Sequence, residues 1–205
     1  GRNAIIDANR PSDGELALRL YRYIRAYELA AYFYSGHWKS PGGFDPTKKN
    51  LALFPNLNVF GGSIRGPLGD GIGNIEVGYY DSDDDNKGDN PFINNSQFRV
   101  LAGYEQEIAK NLTLGTQYYL EHMLDHHNYL RTLPAGLPVR KENRHQLTAR
   151  LTFLTHNQNT TWSLFTYYSP SAQDYYLRPK VSYRIDDHWT TELGGNIFGG
   201  KNEYT

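Results

Sequence analysis

The chain has 205 residues, with 21 Lys and Arg against 22 Asp and Glu, for a net charge of -1. That length suits one domain, here 1–205, and the nearly neutral balance excludes a surface built to hold nucleic acid. With no Cys there is neither a disulfide scaffold nor a thiolate metal site.

The chain is hydrophilic on average, yet it carries 17 Tyr, 9 Phe and 3 Trp, a heavy aromatic load. No run approaches the roughly 18 uncharged apolar residues of a membrane helix. A closed barrel is the other way across a bilayer, because every backbone polar group must be paired within the protein. Its strands need only about 9–11 residues with one apolar face, so mean hydropathy stays low.

Ten strands are predicted in chain order, at 15–26, 27–38, 55–66, 71–82, 95–109, 111–124, 143–157, 160–170, 174–186 and 188–199. Their mark is alternation with a period of two. In the first, Leu16, Leu18 and Leu20 share a parity, and Arg22 falls on it, which would need a bulge to turn it away. The third alternates poorly, with Phe60 and Ile64 on its nominally inward side. The fifth sets Phe98, Val100, Ala102 and Tyr104 against Gln97, Arg99, Gly103 and Glu105. In the sixth, Leu112, Leu114, Tyr118 and Leu120 oppose Thr113, Gly115, Gln117 and Glu121. The seventh opposes Leu147, Ala149, Leu151 and Phe153 to Gln146, Thr148, Arg150 and Thr152. The ninth opposes Leu177, Val181, Tyr183 and Ile185 to Arg178, Lys180, Ser182 and Arg184, and carries Pro179, which removes a ladder donor. The last sets Trp189, Thr191, Leu193 and Ile197 against Thr190, Glu192, Gly194 and Asn196.

Short turns at 26–27, 66–70, 109–110, 156–159 and 186–187 alternate with the longer links 39–54, 83–94, 125–142 and 170–174. Short turns at one end and long loops at the other are the outer-membrane arrangement. The aromatics agree. Tyr32-Phe33-Tyr34, Tyr79-Tyr80, Tyr118-Tyr119, Tyr167-Tyr168 and Tyr175-Tyr176 fall toward the long loops, as an interfacial girdle of amphipathic rings requires. The fold class expected is all-β, an antiparallel transmembrane β-barrel.

The runs Gly62-Ser63-Ile64-Arg65-Gly66-Pro67-Leu68-Gly69 and Gly78-Tyr79-Tyr80-Asp81-Ser82-Asp83-Asp84-Asp85 resemble Gram-negative outer-membrane proteins of the alginate-export-like, porin-like class. So do Gln117-Tyr118-Tyr119-Leu120-Glu121-His122-Met123 and Tyr175-Tyr176-Leu177-Arg178-Pro179. The resemblance implies a bacterial outer-membrane location and further strands before this segment. It also implies a final strand with a terminal aromatic. The chain reaches only Asn202-Glu203-Tyr204-Thr205, so it is expected to be the C-terminal part of a larger barrel without its last strand.

If the apolar parity faces lipid, the other lines a lumen. That places Arg19, Arg99, Arg150, Arg178, Lys180 and Arg184 inside with Glu28, Glu76, Glu105, Glu121 and Glu192. Such a lining selects solutes, with Arg178, Lys180 and Arg184 as an anion-attracting track; alternatively the charges pair across strands and fill the barrel. The expected partners are outer-membrane lipid or lipopolysaccharide outside and a hydrophilic solute inside, with no cofactor. The acidic loop Asp81–Asp89 fits a calcium loop poorly, because Lys87 holds a ligand position and no Glu closes it. His122, Asp125, His126 and His127 lack a spacing that would gather them on a metal. No nucleophile motif or paired carboxylates point to an enzyme. A plugged or adhesive barrel remains open, its loops carrying Trp38, Pro41, Leu130, Leu133, Pro134, Leu137 and Pro138.

Overall fold

The computed structural model describes residues 14–47 and 51–201. The run Asn202-Glu203-Tyr204-Thr205, named above for the expected last strand, lies outside them. The strands are β1 (Leu16–Ile24), β2 (Tyr27–His37), β3 (Gly43–Asp45), β4 (Leu51–Leu53), β5 (Asn56–Leu68), β6 (Gly71–Ser82), β7 (Gln97–Ala109), β8 (Leu112–Met123), β9 (Asn143–Thr155), β10 (Thr160–Ser169), β11 (Asp174–Arg184), β12 (Thr190–Gly194) and β13 (Ile197–Gly200). A 3-10 turn at Asp83–Asp85 and α1 (His126–Thr132), the one α-helix among the described residues, lie within long links.

Period-two sequences rich in Tyr, Leu, Ile and Val favour extended backbone, and the long strands pair in chain order, with the β3–β4 hairpin set apart in a link. The order is β1-β2-β5-β6-β7-β8-β9-β10-β11, with β12 and β13 both on β11, antiparallel throughout. Such a meander puts its two-residue turns at one end. One of them joins Leu68 to Gly71 through Gly69 and Asp70, with Gly69 at φ 58, which costs a residue without Cβ nothing. Arg25 and Asn111 also have positive φ, and the β7–β8 ladder slips between Glu107 and Ala109. At the other end the link after β2, expected as a plain loop over 39–54, holds the small β3–β4 hairpin.

The tenth predicted strand is β12 and β13 with a gap at Gly195 and Asn196. Its register is unbroken, since Lys180 faces Gly194 and Leu177 faces Ile197. The cause is Pro179. Gly195 donates its N–H to the Pro179 carbonyl at 3.1 Å, but Pro179 has no N–H to return. The irregularity expected there is present.

Arg22 pairs with Leu29 with no bulge in the β1–β2 ladder, so it stays on the parity of Leu18 and Leu20. The nominal inward placing of Phe60 and Ile64 is overturned. Phe60 faces Phe33 and Tyr79, and Ile64 faces Leu29 and Ile75, all on the apolar side. Glycines at 62 and 66 on that side carry no hydropathy, which blurred the alternation.

Closure is not seen. Among the described residues β1 and the β12–β13 strand each have one neighbour, so the sheet is open at both edges. The fold shown is therefore an open antiparallel sheet of eleven strands. Among the described residues the buried apolar ones are only Ala30, Trp38, Leu57, Met123 and Tyr129, of which Trp38 and Tyr129 lie in the long links.

Candidate functional site: the polar face and its loop cap

Paired residues in an antiparallel ladder share a face, so the register sorts every strand residue. One face carries Leu16, Leu18, Leu20, Phe60, Ile64, Ile75, Val77, Phe98, Leu147, Phe153, Trp162, Leu164 and Leu193, all exposed. The other carries all the charged residues predicted to line a lumen. One row across it reads Arg19, Tyr32, Gly61, Gly78, Arg99, Glu121 and Arg144. Another runs Ile72, Glu105, Gly115, Arg150, Phe165 and Arg178. Glu76 lies between Ser63 and Leu101, and Lys180, Glu192 and Arg184 share the face on β11 and β12.

These charges divide into tied and untied ones. Arg19 pairs with Glu28, which also accepts from the Tyr23 hydroxyl at 2.6 Å. Arg99 lies 3.6 Å from Glu121 and donates to Gln97 Oε1 at 2.9 and 2.6 Å. Its guanidinium stands 3.9 Å from the Tyr80 ring centroid and 5.6 Å from that of Trp38. Lys180 reaches Glu192 at 2.7 Å, and Arg184 donates to Asn159 Oδ1 at 3.0 Å. The supposed anion track of Arg178, Lys180 and Arg184 thus keeps one face, but two of its three cations already hold partners. Arg65, Glu105 and Arg178 make no side-chain hydrogen bond or ion pair among the described residues. Arg65, Glu76, Glu105 and Arg150 line a cavity of about 360 Å³ with Asn74 and Gln117.

The tyrosine doublets split. Tyr79, Tyr118, Tyr168 and Tyr175 stand on the apolar face, while Tyr80, Tyr119, Tyr167 and Tyr176 stand on the polar one. Adjacent strand residues point to opposite sides, so each doublet supplies one ring to an apolar-side girdle. Tyr118, Leu147, Tyr168 and Tyr175 fall in one row. Missed in the sequence reading is a second aromatic set toward the short turns, Tyr104, Phe153, Trp162 and Tyr183, on the apolar face. Its signal was there: each has the parity of its strand's leucines or valines.

The long links pack on one another as a cap. The Asn94 N–H donates to the Gly42 carbonyl at 2.6 Å, and Phe44 N–H to the Phe92 carbonyl at 3.0 Å. Arg140 donates to Asn94 Oδ1 at 2.7 Å and to the Ile93 carbonyl at 3.2 Å, lying 4.6 Å from the centroid of Tyr129. Tyr129 is 1% exposed. Buried Asn95 donates to the Leu124 carbonyl at 3.0 Å. Trp38 stacks near Tyr80, with ring centroids 6.1 Å apart, so the cap meets the polar face at Arg99.

The acidic loop is an anchor. Asp85 accepts the N–H groups of Asp89 and Asn90 at 3.1 Å each, and Asp84 accepts Asn56 N–H at 2.8 Å. Burial pushes the Asp85 carboxyl up, and the N–H bonds from Asn90 and Asp89 pull against that. His122 bonds Asn143 on the apolar face, His126 bonds the Arg140 carbonyl, and Asp125 precedes α1 with φ 53. These groups are held apart in separate contacts.

Comparison with protein-family models, curated proteins and solved structures finds no match to this chain.

Proposed function

We propose that the chain is part of the wall of a bacterial outer-membrane β-barrel, with the polar face lining a path for hydrophilic solutes. The observation that carries this reading is the separation of faces. Leaving one Val, Leu, Ile or Phe side chain in water forfeits about 1.5–3 kcal/mol. Over a dozen such residues lie exposed on one face. The sum exceeds the 5–15 kcal/mol that typically holds a domain together, so that face needs an apolar cover. Lipid supplies one without further protein. Strands such as β5, β7 and β9 have 13 residues, long enough to cross. On β10 the two aromatic sets stand six residues apart, Tyr168 against Trp162, about 20 Å along the strand. Girdles flanking a hydrocarbon band have this form. The open edges suit a segment of a larger barrel, as does the resemblance to alginate-export-like proteins.

On this reading, Arg65 and Arg178, with Arg150, whose guanidinium meets only the Phe165 ring among the described residues, set solute preference, opposed by Glu76 and Glu105. The test is single-channel conductance of the complete protein in planar bilayers, with reversal potential under a salt gradient. Steady steps with anion preference support the open path; a folded, inserted and silent protein sinks it. The packed cap favours one rival, a barrel plugged by its loops and acting through them. That rival predicts silence which yields to conductance when residues 124–142 are shortened.

A further inference from the structure

The apolar face is not uniform. Between β1, β2, β5 and β6 it sinks into a depression of about 620 Å³, with Ala31 and Gly62 as its floor. Leu20 and Val77 flank that row; Leu29, Ile64 and Ile75 lie toward the short turns. At the short-turn end stands Arg22, without a side-chain bond among the described residues. Toward the long loops the tilted pair Phe33 and Phe60 closes the row, with ring centroids 5.2 Å apart.

Gly62 is the informative residue. A glycine inside a strand weakens it and commonly marks the close approach of another body. The fold itself asks for no glycine here: an added Cβ would meet only the Ala30 carbonyl oxygen, at 3.5 Å, and φ is not positive. Its neighbour Gly61 differs, since a Cβ there would come within 3.0 Å of the Val77 carbonyl oxygen. The space over Gly62 is free for an occupant from outside.

We propose that this groove binds one phospholipid molecule of the leaflet on the short-turn side, an acyl chain lying over Ala31 and Gly62 and its phosphate held by Arg22. The proposal rests on the membrane reading above. Charge complementarity selects the occupant, because an unpaired guanidinium at the end of an apolar groove matches a phosphate at the end of a hydrocarbon chain. Length agrees. From the Arg22 row to the Phe33 row is four residues, about 13 Å along the strand, and one leaflet contributes about half of a ~30 Å hydrocarbon core. Arg22 is two residues from the end of β1, where a long cation reaches the headgroup level.

The experiment is native mass spectrometry of the full protein from detergent, titrated with phosphatidylglycerol and, separately, with uncharged diacylglycerol. Wild type retains one phosphatidylglycerol and little diacylglycerol. Gly62→Val, which fills the groove with a good strand former, and Arg22→Gln, which removes the cation, each lower retention about tenfold. Ala149→Val, elsewhere on the apolar face, leaves it unchanged. Equal retention in wild type, Gly62→Val and Arg22→Gln overturns the site, as does a second protein copy lost on filling the groove. Liposome insertion separates the two levels: a protein that does not insert refutes the membrane reading and the site together. One that inserts but binds lipid indifferently refutes only the site.

Discussion

Arg99 shows how a single side chain joins the cap to the sheet. It bridges Tyr80, Trp38, Gln97 and Glu121, and it stands where the link after β2 comes down on the polar face. Removing it in Arg99→Leu leaves Glu121 without that partner and strips two rings of their cation. We expect a loss of about 1–3 kcal/mol in unfolding free energy, read from urea titration. The reversal potential should also move toward cations. Two carboxyls in the cap region respond to pH with opposite signs. A hydrogen bond from Lys39 holds the Glu15 carboxyl below its usual value. That exposed contact is complete above the ordinary carboxylate range and is lost as pH falls through the lowered value. Asp85 is raised by burial, so the folded cap takes up its proton more readily than the unfolded chain does. Its contribution favours the fold at low pH and declines as pH rises through the window between the ordinary and the raised value. Asp85→Asn should flatten that part of the urea-midpoint profile. Asp85→Ala, which deprives two backbone N–H groups of their acceptor, should cost about 1–3 kcal/mol and make 83–96 more sensitive to protease.

Among the elements, β11 is the one where a single residue interrupts its partner. Pro179 leaves Gly195 with half of a ladder pair and splits β12 from β13. Pro179→Thr restores a donor opposite the Gly195 carbonyl. The expected result is a protected amide at position 179 in hydrogen exchange and a gain of about 0.5–1.5 kcal/mol, reduced by the freedom returned to the unfolded chain. The same strand explains why alternation was readable in some segments and blurred in others. β7, β8, β9 and β11 carry large side chains on both parities, so a period of two stands out. β5 has Gly62 and Gly66 on its apolar side and Gly61 on the other, and there only the ladder to β2 and β6 fixes the face.

For the whole molecule, the face on which a charge falls decides its cost. Leu151 and Thr152 are neighbours in β9 but point to opposite sides. Leu151→Arg places a cation on the apolar face, where the proposed barrel would meet a mid-membrane cost of about 2–4 kcal/mol. Thr152→Arg adds one to a face that already carries several. We expect the first to impair liposome insertion and folding yield, and the second to leave both intact while raising anion preference in reversal-potential measurements.

Local sequence by itself determined most of the strands, the parity of those with large side chains, β5 excepted, and the alternation of short turns with longer links, because pleating and side-chain alternation are properties of each segment alone. It thereby placed Arg19, Glu76, Arg99, Glu105, Glu121, Arg150, Arg178, Lys180, Arg184 and Glu192 on one face. Only the tertiary structure decided which of those charges are tied. Arg19–Glu28, Arg99–Glu121 and Lys180–Glu192 each join residues that meet through cross-strand register, and register sums the turn lengths and slips of the whole meander. The cap was likewise invisible beforehand. Its contacts join Gly42 to Asn94 and Arg140 to Ile93, across loops with no period to read. The open edges and the groove over Gly62 follow for the same reason: each is a relation between strands, which no single strand encodes.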